Sequence, residues 1–417
     1  MNAVGIVAEY NPFHTGHRYH LEQAKKCSGA EYCIVIMSPD FVQRGEPALF
    51  DKYTRTGMAL MGGADLVLEL PVCYATGSAE YFAQGSTALL QKLGVVSSLC
   101  FGSETDDPSL FPTVSEILNE EPEDYRTRLR DCLREGMTFP QARSAALGDA
   151  YAEFLSTPNN ILGLEYCKAL KKMNSSIHPH PIRRKGDGFH SESLNGEFCS
   201  ATAIRSAVCG SLLQYKNMAD TGSTSPSTEA VLSYIPEESR KLFLSSCSTI
   251  VLPDDLMMHL TGKLLSRSAF DDIFDISPEL SDRIRTLRFS LMGNTWEETV
   301  TKLKTRQITE ARIRRALLHL ILGIDQVSVD TFRKKGTVFY GRILGFRKSA
   351  APLLHEIRQK ADIPLISKTS RASLLLDDTG KQMWEQDLFA SHLYRSIRAV
   401  RYHLPFRTEY EYSPVIL

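Results

Sequence analysis

His14 and His17 flank Gly16 near the start of the chain, in the stretch H-T-G-H. The stretch follows an apolar run at residues 4–8, which predicts a buried strand, and it opens a predicted helix over residues 17–26. A helix N-terminus presents free N–H groups and about half a positive charge, so it attracts phosphate. Gly16 lets the backbone approach a ligand where a Cβ would collide. We therefore expect both imidazoles to face a bound polyphosphate and to stabilise charge that develops on its leaving group.

The elements that must position these histidines alternate between strand and helix. Further apolar runs predict strands over residues 32–37, 65–71, 98–104 and 176–184, with helices over residues 52–61 and 76–93 between them. This alternation favours a parallel sheet with helices on both faces, and ligands of such sheets bind beyond the carboxyl ends of the strands. We therefore predict an α/β fold whose Rossmann-like parallel sheet carries the histidines at its ligand-binding edge.

A second segment with phosphate-binding chemistry is S-A-T-A-I-R at residues 200–205. Ser200 and Thr202 lie at the start of a predicted helix, so their hydroxyls and the free N–H groups can reach an anion. Arg205 adds a cation. An ordinary Ser/Thr helix cap is the alternative interpretation. Because the segment follows the histidine motif by several strand–helix units, we favour phosphate binding.

The second half of the chain has a different pattern. A turn-rich stretch over residues 212–227 is typical of a linker. Beyond it the apolar periodicity predicts helices over residues 229–244, 252–266, 278–292, 296–304, 310–322, 351–361 and 381–400, with one strand over residues 337–344. We therefore predict two domains, a catalytic domain over residues 1–212 and a mainly α-helical domain over residues 213–417.

Basic side chains accumulate in this second half, although the formal net charge of the chain is only -1. Clustered cations neutralise phosphates, and the aromatic side chains interleaved with them can stack on unpaired bases. A solvated helix face is the alternative. The candidate RNA-binding residues are Arg306, Arg312, Arg314, Arg315, Arg333, Lys334, Lys335, Arg347 and Lys348.

The composition is that of an ordinary soluble globular protein, with 43% hydrophobic and 23% charged residues. The nine cysteines form no C-x-x-C pair, which argues against a zinc ribbon or a redox dithiol. Neither a signal peptide nor an uncharged apolar stretch of about 18 residues is recognisable. We therefore expect a reduced cytoplasmic protein with no membrane span.

Five blocks of the sequence resemble one family. They are G-I-V-A-E-Y-N-P-F-H-T-G-H, F-V-Q-R-G-E-P-A, F-G-S-E, P-N-N-I-L-G-L-E-Y and S-A-T-A-I-R, and they follow one another through the first half of the chain. The family they resemble is the bacterial tRNA(Met) cytidine acetate ligase family, in the HxGH nucleotidyltransferase superfamily. One departure is Pro39, where the family more often has glycine; proline has no N–H to offer a ligand.

The resemblance implies an ATP-dependent ligase that makes acetyl-adenylate and pyrophosphate from ATP and acetate. It then acetylates N4 of the wobble cytidine of elongator tRNA(Met). Mg²⁺ is expected as the counter-ion of ATP, and we find no convincing cluster of protein metal ligands in the sequence. No protein partner is implied.

The resemblance also implies roles for individual residues. His14 and His17 would be catalytic, Asn159 would contact the nucleotide in preference to Asn160, and Gly102 would leave space for adenine or ribose. The implied ATP-binding residues are Val7, Ala8, Glu9, Tyr10, Asn11, Pro12, Phe13, His14, Thr15, Gly16, His17, Arg18, Tyr19, His20, Gly102, Asn159, Asn160, Arg183, Arg184, Ser200, Thr202 and Arg205.

Two other functions remain open at this point. A small-molecule nucleotidyltransferase would release a stable adenylylated product and would not need the basic second half. A non-catalytic RNA-binding protein that senses ATP would tolerate loss of either histidine. The sequence leaves the acyl specificity, the acetate pocket, the tRNA bases that are read and the oligomeric state open. Glu9, Asp40 and His190 are weak candidates for a general base in the transfer step.

Overall fold

Strand β1 (Ala3–Ala8) lies near the middle of a large sheet in the computed structural model, which describes residues 2–184, 199–215 and 230–417. Within that part of the chain the sheet has eight strands, seven of them in the order β10-β8-β5-β2-β1-β6-β7. The first-half strands are β2 (Tyr32–Met37), β5 (Leu66–Glu69), β6 (Val96–Ser103) and β7 (His178–Arg183), and they pair with β1 or with one another in parallel. The predicted α/β fold with a parallel sheet is confirmed.

Both faces of the sheet are buried, as the continuous apolar strands predict. In β2, Ile34 and Ile36 belong to one hydrophobic cluster, whereas Val35 and Met37 belong to the cluster on the opposite face. All four side chains are fully buried. The alternation follows from the two-residue period of a strand, and it fixes the register of the central strands because a one-residue slip would exchange the two cores.

The described helices cover both faces and build most of the second half. In the first half they are α1 (Thr15–Ser28), α2 (Lys52–Met61), α3 (Val72–Ala75), α4 (Ala79–Lys92), α5 (Leu110–Glu120), α6 (Glu123–Arg134), α7 (Phe139–Leu147), α8 (Pro158–Lys172) and α9 (Ala201–Tyr215). In the second half they are α10 (Arg240–Cys247), α11 (Met257–Ser266), α12 (Pro278–Leu287), α13 (Trp296–Leu303), α14 (Glu310–Leu322), α15 (Gln326–Lys335), α16 (Ala351–Lys360), α17 (Ala372–Leu375) and α18 (Asp378–Tyr402). None of the helices in the described ranges is both long and apolar enough to cross a membrane.

The second half also contributes strands to the sheet. β8 (Gly341–Phe346) pairs antiparallel with β5, and the two-residue strands β9 (Leu365–Ile366) and β10 (Val415–Ile416) pair in parallel with β8. The sequence predicted a strand over 337–344, but Thr337 has a left-handed φ of 70°, so the regular strand begins later. Strands of two residues are too short for a recognisable period.

This shared sheet bears on the proposed division of the chain. The boundary predicted after residue 212 falls within α9, and strands from both sides of it pair directly. Two domains over residues 1–212 and 213–417 therefore stay a prediction.

A buried cluster of ionic side chains joins the first and second halves of the chain. Lys52 Nζ lies 2.7 Å from Glu69 Oε1, and Arg342 Nε lies 3.2 Å from Glu69 Oε2. Glu409 Oε1 accepts a hydrogen bond from Arg395 Nε at 2.9 Å, and Glu409 also pairs with Lys52 and Arg342. We call these five residues the ionic cluster. Its members are buried, and they come from α2, β5, β8, α18 and the segment that follows α18.

A second small sheet forms the turn beside the ligand-binding edge. β3 (Phe41–Val42) pairs antiparallel with β4 (Glu46–Pro47). Gly45 closes this turn with a φ of 77°, a conformation that glycine adopts without strain. A Cβ at Gly45 would lie 2.4 Å from the backbone nitrogen of Arg315, so the turn packs directly against α14.

Candidate active site

The two motif histidines build the N-terminus of α1 by capping each other. Nδ1 of His14 accepts the N–H of Gly16 at 3.1 Å, and Nδ1 of His17 accepts the N–H of His14 at 3.3 Å. The ring centroids lie 3.8 Å apart with the planes inclined by 33°. Because each Nδ1 is an acceptor, a neutral ring carries its proton on Nε2. The helix start therefore offers two imidazole N–H donors in addition to its own free amides.

Both rings are held in the neutral form. Burial, together with the nearby charges of Arg184 and Arg205, lowers the pKa of His14 to about 3. Burial likewise brings the pKa of His17 well below its usual range, with smaller contributions from His14 and Arg184. The pKa of His20, one turn further along α1, falls to about 4 for the same main reason. Each of these rings is therefore neutral at physiological pH and can donate a hydrogen bond to a ligand without adding charge.

The histidines open into a cleft of about 780 Å³ at the carboxyl ends of the strands. Most of the predicted ATP-binding residues line it. They are Val7, Ala8, Glu9, Tyr10, Asn11, His14, Gly16, His17, Tyr19, His20, Gly102, Asn159, Arg183, Arg184, Ser200, Thr202 and Arg205. The structure thus brings the H-T-G-H and S-A-T-A-I-R segments to one cavity, as expected if both contact the same ligand.

Five residues from the same prediction do not line the cleft. Pro12 and Phe13 are buried beneath it, and Phe13 packs edge-on against Tyr10 at 4.9 Å. Thr15 donates its N–H to Tyr234 O at 2.8 Å, and Arg18 pairs with Glu22 and Glu238 on the surface. The fifth, Asn160, accepts at Oδ1 from the hydroxyl of Ser103 at 2.9 Å and from the N–H of Glu104 at 3.0 Å. Their direct contact with nucleotide stays a prediction, and in the described structure they support the residues that line the cavity.

The cationic side of the cleft is formed by Arg184 and Arg205. Arg205 Nη1 donates to Asn11 O at 2.7 Å, and Nη2 donates to Thr202 Oγ1 at 3.2 Å. These bonds fix the guanidinium between the two predicted phosphate-binding segments. Arg184 crosses Gly102, where an added Cβ would lie 3.3 Å from Arg184 Cγ. The space expected above Gly102 for adenine or ribose thus holds the stem of an arginine.

Asn159 lies at the rim of the cleft because of the start of α8. Pro158 occupies the first position of this helix, and the Glu104 carboxylate accepts the N–H of Asn160 at 3.2 Å. The other carboxylate oxygen accepts from the Asn159 side-chain amide. The loop after β6 is thereby bound to the start of α8, which holds Asn159 beside the cavity.

The sequence analysis missed three polar residues of the cleft, Gln43, Arg44 and Glu46, in the β3–β4 turn. Gln43 donates its N–H to Glu9 Oε1 at 2.9 Å, which joins the turn to the end of β1. The block F-V-Q-R-G-E-P-A was recognised as resembling the family, and that resemblance was the available signal.

The sequence analysis also missed the apolar wall of the cleft. Ala79 and Phe82 from α4 lie there with Ile161 and Leu162 from α8. These two helices pack against each other, and Leu162 is half-buried against the hydrophobic cluster that contains Phe82. Apolar side chains at helical spacing are the usual pattern of a core, so their spacing does not indicate a cavity wall.

The predicted RNA-binding residues are dispersed. Arg314 and Arg315 line the cleft from α14, but each is paired, with Glu297 at 2.6 Å and Asp275 at 2.7 Å respectively. Arg306, Lys334, Lys335 and Lys348 are exposed elsewhere, while Arg312, Arg333 and Arg347 are half-buried. Arg347 donates to Leu60 O at 2.9 Å. RNA binding by this set stays a prediction.

Two of the aromatic residues interleaved with the basic ones are unsuited to stacking on bases. Phe332 and Tyr340 are fully buried in the core. The basic candidates therefore do not lie in one aromatic-lined surface, and only the cleft-facing pair is contiguous with the histidine site.

Metal ligation by the protein is not indicated in the described residues. No group of three or more His, Cys, Asp or Glu side chains within residues 2–184, 199–215 and 230–417 could hold a metal ion. His190, a weak candidate for a general base, lies outside the described residues.

The whole chain resembles known proteins that share this fold and this motif. The family model described as HIGH Nucleotidyl Transferase matches residues 1–404. The tRNA(Met) cytidine acetate ligase of Caldanaerobacter subterraneus is 40% identical over 405 residues, which cover 94% of this chain and 95% of that protein. The ligase of the same name from Clostridium novyi is 35% identical and is matched over the full length of both chains.

Solved structures give the same result. A crystal structure of Thermotoga maritima TmcAL in the apo state has a TM-score of 0.90 and 31% sequence identity, with full coverage of both chains. A structure of that protein bound to alpha-thio ATP has a TM-score of 0.88. This chain therefore belongs to the tRNA(Met) cytidine acetate ligase family of the HIGH nucleotidyl transferases.

Proposed function

We propose that this protein is an ATP-dependent ligase that activates acetate as acetyl-adenylate, with release of pyrophosphate. It then transfers the acetyl group to N4 of the wobble cytidine of elongator tRNA(Met). The reciprocal capping of α1 by His14 and His17 is the observation that carries the proposal, because it places the Nε2 N–H groups of two neutral rings beside one helix N-terminus. A ligase acting on tRNA with ATP is expected to work in the cytoplasm.

In the first step an acetate oxygen attacks the α-phosphorus of ATP and forms a new P–O bond. The bond from that phosphorus to the bridging oxygen breaks, and its electron pair leaves with pyrophosphate. The two imidazole N–H groups are placed to stabilise the charge that grows on the phosphate oxygens. Arg205, held by Asn11 and Thr202, supplies a fixed positive charge for the departing group.

In the second step the N4 amine attacks the acetyl carbonyl carbon and forms a new C–N bond. The bond from that carbon to the phosphate oxygen breaks, AMP leaves with its electron pair, and N4 loses a proton to water. In this proposal the cytidine enters beside α14, where Arg314 and Arg315 line the cleft next to the β3–β4 turn. We propose that this pair contacts the RNA near the reacting base. A conformational adjustment that frees them from Glu297 and Asp275 is part of that proposal.

Mg²⁺ is proposed as the counter-ion of the triphosphate, held by phosphate oxygens and water in place of a protein cage. The cleft residues fit this arrangement, because its ionisable lining is histidine and arginine with only scattered carboxylates. When bound, the ion neutralises phosphate charge. Orientation and hydrogen bonding at the α-phosphate are left to His14, His17 and Arg205.

The test is to incubate the purified protein with ATP, labelled acetate and total tRNA, digest the tRNA and look for labelled N4-acetylcytidine. Label in elongator tRNA(Met), lost in His17→Ala and retained in the surface control His355→Ala, is the expected result. Pyrophosphate release with other acids or alcohols but no acylated RNA would point to a small-molecule nucleotidyltransferase. Retention of the cellular phenotype by His17→Ala would favour a non-catalytic RNA-binding protein.

A further inference from the structure

The order of the strands divides the cleft into two sides. β6 and β7 lie on one side of β1, and β2 and β5 lie on the other. Gly102 at the end of β6, Arg184 after β7 and Arg205 on α9 line this side, together with the second phosphate-binding segment. The α1 N-terminus, which follows β1, stands at the junction. The side of the cleft beyond β2 and β5 is therefore available to bind another part of the reactants.

The second side is chemically different from the first. Its wall contains Ala79 and Phe82 from α4, and it is bounded by Leu162 from α8, which packs against both α4 and β6. Phe82 is only 2% exposed, and Ala79 and Leu162 are half-buried. Such a wall has no group that binds phosphate. It can pack against a small apolar group and exclude water from a reactive intermediate.

A polar side chain, Gln43, lines the same cleft from the β3–β4 turn that follows β2. Gln43 is anchored by its backbone N–H to Glu9 Oε1 at 2.9 Å, which fixes it beside the end of β1. Its side-chain Nε2 is buried and has no hydrogen-bond partner in the described parts of the chain. Buried amide donors normally have a partner, so an unpaired one beside a cavity indicates an acceptor atom on a ligand.

The geometry of the first step agrees with this placement. In an in-line displacement the attacking oxygen lies opposite the leaving group across the phosphorus. Arg184, Arg205 and the second phosphate-binding segment lie towards β6 and β7, and they draw pyrophosphate to that side. Arg314 and Arg315 line the cleft beside the β3–β4 turn, but each is already paired with a carboxylate. The carboxylate that attacks must then approach from the side of β2 and β5.

We propose that Ala79, Phe82, Leu162 and Gln43 form the acyl pocket. The acetyl methyl group packs against the three apolar side chains, and Gln43 Nε2 donates to a carboxylate oxygen of acetate. This inference rests on the proposed ligase function. In this pocket Phe82 and Leu162 limit the length of the acyl chain, because their side chains occupy the space that a longer acid would need.

The test is a competition between acetate and propionate, with acylated cytidines from total tRNA measured by mass spectrometry. One methylene in an apolar pocket changes discrimination by about 10–200-fold. Phe82→Ala and Leu162→Ala should therefore raise the ratio of propionyl to acetyl product at least about tenfold. Phe243→Ala is the matched control, since Phe243 is equally buried but packs against Phe50 away from the cleft.

Two further variants keep the test interpretable if the alanine variants of Phe82 and Leu162 fail to fold. Ala79→Leu adds bulk at a half-buried position, so it should raise the KM for acetate at least about tenfold while the Kd for ATP stays unchanged. Gln43→Ala should raise the KM for acetate by a similar factor, again without changing ATP binding.

The outcomes separate the two proposals. If the wild-type protein attaches no acyl group to tRNA, the proposed function fails. If it makes N4-acetylcytidine but all four variants keep the acyl preference and the KM for acetate of the wild type, only the acyl pocket is overturned.

Discussion

Buried ionisable groups have opposite electrostatic environments in the active-site cleft and in the ionic cluster. In the ionic cluster each cation faces a carboxylate, as in the 2.7 Å contact between Lys52 and Glu69. Burial alone would raise the pKa of Glu409, but Lys52, Arg342 and Arg395 outweigh it and hold that pKa well below the usual range. In the cleft, burial dominates and His14 and His17 are neutral.

The difference shows which buried groups are available to a ligand. A charge that is already compensated within the protein joins structural elements and has little capacity left for a substrate. Neutral donors beside cations at a helix N-terminus still lack an anion. The cleft therefore gains the most from binding triphosphate, whereas the ionic cluster gains nothing from it.

The largest effect is expected from breaking the ionic cluster. Lys52→Met leaves the buried carboxylates of Glu69 and Glu409 short of a cation, so the free energy of unfolding should fall by about 3–5 kcal/mol. Chemical denaturation followed by circular dichroism measures it. Lys360→Met is the control, because its pair with Glu356 is exposed and should contribute less than about 1 kcal/mol. Equal losses in the two variants would contradict a structural role for the cluster.

The next largest effect is expected from variants of His14 that separate its role in capping the helix from its role in catalysis. His14→Ala should lower the rate of acetate-dependent ATP–pyrophosphate exchange by about 10²–10³-fold, because it removes a donor to the transition state. His14→Ser should restore the helix cap and the melting temperature but not the exchange rate, since serine caps well yet lacks the imidazole N–H. Full activity in the serine variant would show that the ring only caps the helix.

The neutral histidines also predict a pH dependence of stability. His14 and His20 have pKa values of about 3 and about 4 in the folded protein, below the ordinary value of 6.5. Between the folded pKa and the ordinary value of 6.5, each ring binds more protons in the unfolded state than in the folded state. The free energy of unfolding therefore rises with pH in this window, and it falls as the pH drops below 6.5. Each ring contributes a slope of at most about 1.4 kcal/mol per pH unit.

Urea denaturation from pH 7 to pH 4 measures this slope. His20→Gln should flatten the curve, whereas the exposed His355→Gln should leave it unchanged. An identical slope in the wild type and in His20→Gln would show that the ring is protonated in the folded protein.

The smallest effect is expected at the outer wall of the cleft. Arg314→Gln should weaken tRNA binding modestly and reduce the dependence of log K on log salt concentration by about one unit, as for loss of one phosphate contact. Lys348→Gln, an exposed change away from the cleft, should alter neither quantity. Filter binding at several salt concentrations distinguishes them, and equal salt slopes would remove α14 from the RNA-binding surface.

The parts of the molecule that the sequence could predict depend on local order. The strand, the turn and the helix around His14 are consecutive in the chain, and their apolar period and glycine indicate a phosphate site without reference to the rest. The parallel sheet followed from the alternation of strands and helices. The cleft edge then followed from the rule that ligands bind beyond the carboxyl ends of such strands.

The parts that escaped prediction depend on contacts between distant residues. The position of Gln43 depends on the packing of the β3–β4 turn against α14, a helix that lies in the second half of the chain. Phe82 and Leu162 have the spacing of ordinary core residues, and only the tertiary structure exposes them to a cavity. The members of the ionic cluster are spread from Lys52 to Glu409, so no local pattern indicates that they meet.

The pairing of β5 with β8 has a consequence for the synthesis of the protein. Until the ribosome has made residues 341–346, β5 is an open edge whose apolar residues Leu66, Val67 and Leu68 can pair with other nascent chains. A fragment that ends before β8 retains the motif histidines but keeps this edge uncovered. The first half expressed alone should therefore aggregate, and the histidine site matures only after most of the polypeptide has left the exit tunnel.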